Sequence, residues 1–333
     1  MTTAQVVHQE EETFRNFDSK AATDYAKFRP GWDDEFIANL VSRHTSQGGK
    51  TDVLLDLGCG PGTSTRTLAT HFQRVIALDP SPAMIEVARG IPSKTALGES
   101  VQYEVGKAES LSANPFIKGL TQAGDGLESV DVITAATAAH WFDLDAFWIE
   151  AAKVLKPGGS VIFFASGESH IDPNTTPNAA KYQQLIDLFQ ETVLVPYEAP
   201  GNRLTRELYK NLRMPWDVAE ANPDLQPVLS VFKRQNSVRQ EIDKSGQLAK
   251  GEKFVRGGRA DFNTIKLILG TASPIVRWRQ AHQEQLEKGE IEDCVDEFFR
   301  KAREILDETE EGRGRDYIDT GLSIVILVVR KDK

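Results

Sequence analysis

The residues best suited to chemistry lie at the ends of two short apolar runs. Val53-Leu54-Leu55-Asp56-Leu57 leads into Gly58-Cys59-Gly60-Pro61-Gly62, and Arg74-Val75-Ile76-Ala77-Leu78 ends in Asp79, followed by Pro80. Glycines at the end of a strand let the backbone approach a ligand that side chains would exclude. A carboxylate at the end of the next strand, about 20 residues beyond the glycines, can accept hydrogen bonds from both hydroxyls of a ribose. The pair predicts a nucleoside-containing ligand. The spacing is Gly-x-Gly-x-Gly, with Thr63 where a dinucleotide fingerprint places its third glycine. A dinucleotide needs a helix N-terminus for its pyrophosphate, whereas S-adenosylmethionine carries no phosphate and offers an amino-acid group and a ribose. The glycine spacing favours the second over a nicotinamide cofactor.

A further group lies beyond the run Val130-Asp131-Val132-Ile133-Thr134. Its histidine, His140, can act as a general base or stand in a pocket wall as a hydrogen-bonded residue, since free imidazole titrates near neutrality; the wall role is favoured. Trp141 and Phe142 fit a substrate wall or a packed core. The six histidines, His8, His44, His71, His140, His170 and His282, show no paired ligand spacing, and neither Cys59 nor Cys294 has a neighbouring cysteine. No metal site and no disulfide framework is expected.

These residues need a scaffold of alternating strands and helices, and five such units run from about 52 to 165. Ser81 is a plausible N-cap with Pro82 at the first helical position, and Asp143 can cap a helix whose stripe is Leu144, Phe147, Trp148, Ala151, Ala152 and Leu155. Lys156-Pro157-Gly158-Gly159 turns that helix into the fifth strand, Ser160 to Ala165. The expected fold is α/β, a Rossmann-like doubly wound sheet. Beyond Ala165 the alternation breaks into Pro-rich turns, helical stretches such as Tyr182 to Glu191, and a charged loop from Asp243 to Arg259. Ile291 to Leu306 reads as an amphipathic helix and Gly321 to Val329 as a strand returning to the sheet. The expected organisation is an N-terminal helical lid over 1–45, a cofactor-binding core over 46–165, a mainly helical substrate cap over 166–310 with helices packing on the core, and a C-terminal strand over 311–333.

Of the 333 residues, 40% are hydrophobic and 26% charged, with 16 Phe and 5 Trp, which suffices for a substantial core and excludes a disordered chain. A net charge of -10 works against attraction to nucleic acid or to an anionic membrane face. Met1 to Phe14 lacks a basic n-region and an apolar h-region, and the longest apolar run, Leu322 to Val329, is too short to span a bilayer. A cytoplasmic protein with a small-molecule partner is expected.

Over most of its length the chain resembles the class I S-adenosylmethionine-dependent methyltransferases, and within them it is similar to the trans-aconitate methyltransferase-like family, many of whose members are fungal. The resemblance rests on Leu54 to Gly62, Asp79 with Ser81 and Met84, Gly106-Lys107-Ala108-Glu109-Ser110-Leu111, Ala139-His140-Trp141-Phe142-Asp143 and Leu155-Lys156-Pro157-Gly158-Gly159. Tyr25-Ala26-Lys27-Phe28-Arg29-Pro30 resembles the family's lead-in, and Tyr197-Glu198-Ala199-Pro200-Gly201 a cap motif. It is strong over 20–165 and weaker beyond. The resemblance implies that Gly58, Cys59 and Gly60 pack against the methionine part of S-adenosylmethionine, with Asp56 near its ammonium. By the same pattern Asp79 and Pro80 hold the ribose side, Met84 packs on the adenine, and Ala108 with Glu109 borders its amino edge. Lys107 stands where many relatives carry an aspartate. Tyr25 and Arg29 are implied to form part of a lid, with Arg29 facing the cofactor's carboxylate. Ala135, Ala136 and Thr137 are implied to turn carbonyls toward its ammonium.

The function implied is methyl transfer to a small molecule without metal, most directly O-methylation of a carboxylate or hydroxyl on an organic acid or specialised metabolite, leaving S-adenosylhomocysteine. The alternatives are transfer to carbon or nitrogen, or a methyltransferase-like protein with a non-methylating catalytic or regulatory role. A carboxylate is ionised at neutral pH and needs only a cation to orient it, for which Arg203 and Arg206 are candidates. Trp141, Phe142 and Tyr197 are candidate acceptor contacts, whereas core packing is the better reading of Trp216 and Trp278. A hydroxyl acceptor makes His140 the first candidate base.

Overall fold

The computed structural model describes residues 13–15 and 17–333. The first part of the expected N-terminal lid, including His8, lies outside the described residues.

Among the described residues eight strands form one sheet: β1 (Val53–Leu57), β2 (Arg74–Asp79), β3 (Gln102–Val105), β4 (Val130–Ala136), β5 (Leu155–Ile171), β6 (Phe232–Ile242), β7 (Gly257–Asp261) and β8 (Tyr317–Lys331). The order is β3-β2-β1-β4-β5-β8-β6, with β7 also paired to β8. The first five strands are mutually parallel. β8 runs antiparallel to β5, from Ser160 opposite Arg330 to Ile171 opposite Thr320. Because the order reverses at β1, the carboxyl ends of β1 and β4 frame a crevice, the place where open α/β sheets bind ligands.

Both faces are buried in the middle of the sheet, which is why β1, β2, β4 and the middle of β5 read as apolar runs. On β1, Val53, Leu55 and Leu57 join one core and Leu54 the other; on β8, Val325, Leu327 and Val329 face the first and Ile324, Ile326 and Val328 the second. The helix Leu144–Val154 covers the first face with Phe147, Trp148 and Ala151. Asp34–Thr45, Thr63–Ala69 and Pro82–Gly90 cover the second. Their starts are fixed by the side chains that suit them: Asp33 accepts from Phe36 N, Ser81 from Met84 N, and Asp143 from Asp145 N and Ala146 N.

Residues after Ala165 build a third, separate core. Its centre is the helix Cys294–Asp307, which buries Val295, Phe298, Phe299, Ala302 and Leu306 at helical spacing against Tyr182, Phe262, Ile275 and Trp278. The same stretch also returns two strands, β6 and β7, to the sheet. The charged loop expected over 243–259 is shorter than its composition suggests, because β7 begins within it.

Candidate active site

The carboxyl ends of the first four strands surround a cavity of about 320 Å3. Asp56, Gly58, Cys59 and Gly60 reach it from β1, Asp79, Pro80 and Met84 from β2, Gly106 to Glu109 from β3, and Ala136 to Ala138 from β4. Tyr25, Arg29 and Trp32 close it from the N-terminal side, while Arg256, Ile268 and Leu322 arrive from the far end of the chain.

The glycine loop owes its shape to left-handed backbone at Gly58 (φ 62°) and Gly60 (φ 54°). A Cβ on Gly58 would stand 2.5 Å from that of Ala138, so the β1 and β4 loops can meet only without one. At Gly60 a Cβ would meet nothing within 4 Å, leaving room beside the backbone for a ligand. Asp79 braces the loop: its Oδ2 accepts from Gly60 N at 2.9 Å and its Oδ1 from Ser81 N at 2.8 Å. Each oxygen retains a further lone pair, so the carboxylate can also take the two hydroxyls of a ribose.

Burial dominates the electrostatics. It raises Asp79 to about 6, against the pull of the Ser81 and Gly60 amides and the Arg15 charge. Asp56 is also raised to about 6 by burial, opposed by the hydroxyls of Thr134 and Thr65, each donating at 2.6 Å. Two carboxylates that gain from a nearby positive charge or hydrogen-bond donor thus meet one cavity, which fits a cationic nucleoside such as S-adenosylmethionine. Glu109 Oε1 accepts from Asp143 N at 2.9 Å, tying the β3 loop to the start of the helix after β4.

A second cavity, of about 410 Å3, adjoins the first and shares Phe14, Tyr25, Arg29, Thr137 and Trp141 with it. The rings of Phe14 and Tyr25 lie 5.7 Å apart and those of Phe14 and Trp141 6.4 Å apart, both edge-on, so aromatic surface forms the common wall. The polar lining includes His140, Gln190, Asn202, Thr205 and Arg206, with the carboxylates of Glu168, Asp187, Glu191 and Glu198. Arg206 is engaged by Glu191 and Glu198. Among the described residues the buried Arg29 Nε has no hydrogen-bond partner, and its guanidinium lies 5.4 Å from the Tyr25 ring centre.

Most residues singled out from the sequence therefore surround these two spaces. Tyr25, Arg29, Asp56, Gly58, Cys59, Gly60, Asp79, Pro80, Met84, Ala108 and Glu109 line the first. His140 lines the second, Trp141 both, and Phe142 the first rather than the second. Ala135, Tyr197 and Arg203 line neither. Ala135 is fully buried in β4. Arg203 is exposed and paired with Glu207 at 2.7 Å. Along the helix Pro200–Arg206, Asn202, Thr205 and Arg206 keep the three-four spacing of one face, and Arg203 falls off it. Tyr197 instead stands edge-on to His282, at 5.8 Å between ring centres. Trp216 and Trp278 pack with the apolar cores. Phe14, Arg256 and Ile268 were not legible as site residues, because nothing local marks a side chain brought in by a distant segment. Among the described residues no cluster of three or more possible metal ligands occurs, and no helix is long and apolar enough to cross a membrane.

Residues 55–163 match the family model described as a methyltransferase domain. A protein of Dictyostelium discoideum named as a methyltransferase is 31% identical over 189 residues, 57% of this chain and 62% of that protein. A Saccharomyces cerevisiae protein named as an S-adenosylmethionine-dependent methyltransferase is 27% identical over 151 residues, 45% of this chain and 46% of that protein. The matched segment thus spans between about half and three fifths of the length of these curated relatives. A solved structure titled as a type II methyltransferase from Anaeromyxobacter dehalogenans superposes with a TM-score of 0.57 at 23% identity, covering 92% of this chain and 98% of that one, a likeness of fold. The stretch 55–163, which resembles a methyltransferase domain, contains the glycine loop and the Asp79 carboxylate and supplies most of the crevice at the strand ends.

Proposed function

We propose that this protein moves the methyl group of S-adenosylmethionine onto an oxygen of a small organic molecule, an acid or a specialised metabolite, held in the second cavity. The observation that carries this reading is the wall common to the two cavities, built from Tyr25, Arg29, Thr137 and Trp141. Because the same residues line both spaces, the spaces adjoin, and ligands seated in them would lie beside one another, the proximity that methyl transfer requires. Bound S-adenosylmethionine supplies an already activated sulfonium methyl.

The chain's own part is to bind, orient and exclude water. Asp79 would accept from the ribose hydroxyls, Asp56 would face the ammonium, and Met84, Ala108 and Glu109 would border the adenine. Arg29 reaches both cavities and offers a guanidinium to a carboxylate on either side. A carboxylate acceptor needs no base, since it is ionised at neutral pH. The free, buried thiols of Cys59 and Cys294 suit a reducing, cytoplasmic setting. The carboxylates of Glu168, Asp187, Glu191 and Glu198 support a second reading, N-methylation of an amine, because they outnumber Arg29 and Arg206 in the acceptor cavity.

The test is mass spectrometry of the protein incubated with S-adenosylmethionine and a panel of carboxylic acids, phenols and amines, trans-aconitate included. A base-labile methyl adduct is the expected outcome and identifies an ester. A base-stable adduct on a phenol identifies an ether, and one on an amine the second reading. Bound cofactor with no adduct on any compound counts against methyl transfer to these classes.

A further inference from the structure

Directly after the helix Pro200–Arg206 the chain takes an unusual course. Leu208 and Tyr209 both have positive φ, 53° and 57°, a region that bulky side chains rarely enter. Arg239, on the edge strand β6, donates to the carbonyl oxygens of both residues, with 3.2 Å to that of Tyr209. Tyr209 N also donates to Leu204 O at 2.8 Å. Leu208 packs so closely on β5 that a Cβ on Gly167 would come within 2.5 Å of its Cδ2. Several separate contacts therefore hold the strained pair, and what they place is the Tyr209 ring, 1% exposed, with its hydroxyl 2.8 Å from His140 Nδ1.

A buried hydroxyl must donate its proton somewhere, and among the described residues the one acceptor the Tyr209 hydroxyl meets is His140 Nδ1, since the His140 backbone amide beside the same oxygen is a donor. Were Nδ1 to carry the proton and donate to the phenol oxygen, the hydroxyl proton would be left in the core without an acceptor. We infer that Tyr209 donates to Nδ1 and so fixes His140 as the tautomer protonated on Nε2, making the histidine a hydrogen-bond donor to the molecule in the second cavity rather than the base that deprotonates it. Burial favours the neutral ring, pulling the histidine down to about 3. Tyr209 lines neither cavity and acts through His140, as a positioning residue. The inference rests on the acceptor reading of the second cavity and deepens it, because an N–H donor there selects a lone-pair oxygen, that of a carboxylate or carbonyl, over an ammonium group.

The tautomer can be read without any substrate, by long-range proton–nitrogen correlation on protein labelled with 15N-histidine, the His140 ring being assigned from its loss in His140→Gln. The expected pattern at pH 7 is that of an Nε2-protonated ring, and in Tyr209→Phe, which keeps the packing but removes the hydroxyl, the Nδ1 shift moves as its hydrogen bond is lost. An Nδ1-protonated pattern in the unmodified protein, or an unchanged one in Tyr209→Phe, overturns the inference whether or not the protein methylates anything. If Tyr209→Phe does not fold, the unmodified protein's pattern alone decides. Once an acceptor is in hand, His140→Ala should raise its KM about tenfold with kcat little changed, and His140→Gln, which keeps a donor, should restore it. A loss confined to kcat would instead mark His140 as a base.

Discussion

Asp79 shows how much one side chain is asked to do. Its carboxylate accepts from two backbone amides that shape the glycine loop, and it lies in the cavity where a ribose would add two more donors. Removing it in Asp79→Ala should weaken S-adenosylmethionine binding by about ten- to a hundredfold, the scale of a lost hydrogen bond to a charged group. Titration calorimetry measures this directly, and unchanged affinity would reject the ribose assignment. The pH dependence comes from the same group. Held at about 6 by burial, against an unfolded value of 3.8, Asp79 stays protonated further up the pH scale in the fold than in the unfolded chain. Its ionisation therefore costs fold stability as pH rises through that window. Ribose hydroxyls donate to the ionised form, so affinity should fall between pH 7 and pH 5, and less steeply in Asp79→Ala, where of the two raised carboxylates Asp56 alone remains. A residue-scale reading could find Asp79 because strand, glycines and acid are adjacent in the chain. It could not find the Tyr209 hydroxyl on His140, because their meeting depends on a strained turn that no spacing announces.

At the scale of elements, legibility tracks burial. β1, β2, β4 and the middle of β5 are covered on both faces and announce themselves as apolar runs. β6 carries no such signal because it is an edge strand, Phe-Lys-Arg-Gln-Asn-Ser-Val-Arg-Gln-Glu-Ile, whose first residue is buried and whose next four are exposed. β7, with two glycines and an arginine, has no strand pattern and exists because β8 offers it a partner. The loop between β1 and the next helix is where element geometry and binding separate cleanly. Gly58→Ala should cost about 2 kcal/mol or more of stability, since it adds left-handed strain to a collision with Ala138. Gly60→Ala meets open space and should cost only the strain, about 1 kcal/mol, yet fill room that the proposed cofactor would occupy. Urea denaturation paired with binding should show stability lost mainly in the first and affinity lost mainly in the second. Equal stability losses with retained binding in Gly60→Ala would argue that the loop does not hold the ligand.

For the whole molecule the question is how segments more than 200 positions apart in the chain come to share one cavity. Arg256, in the loop before β7, donates to Pro30 O and Gly31 O, each at 2.9 Å, and lies 3.9 Å from the centre of the Trp32 ring. Trp32 stacks on Phe36 at 4.4 Å and stands edge-on to Phe164 of β5 at 5.1 Å, so this arginine joins the late part of the chain, the N-terminal segment and the sheet in one contact. Burial draws it down to about 10, which still leaves it charged at neutral pH. If this guanidinium is what pins the N-terminal segment, removing it should loosen that segment while the two faces of the sheet stay packed. Arg256→Ala is therefore expected to speed amide hydrogen exchange over 19–33 and to weaken cofactor binding about tenfold, with exchange in β1, β4 and β5 unaltered. Arg203→Ala, exposed and outside both cavities, serves as the control and should change neither. If exchange over 19–33 stays slow in Arg256→Ala, the N-terminal segment is held by Trp32 packing alone. If exchange quickens and affinity holds, the segment covers the cavity without contributing to what binds there.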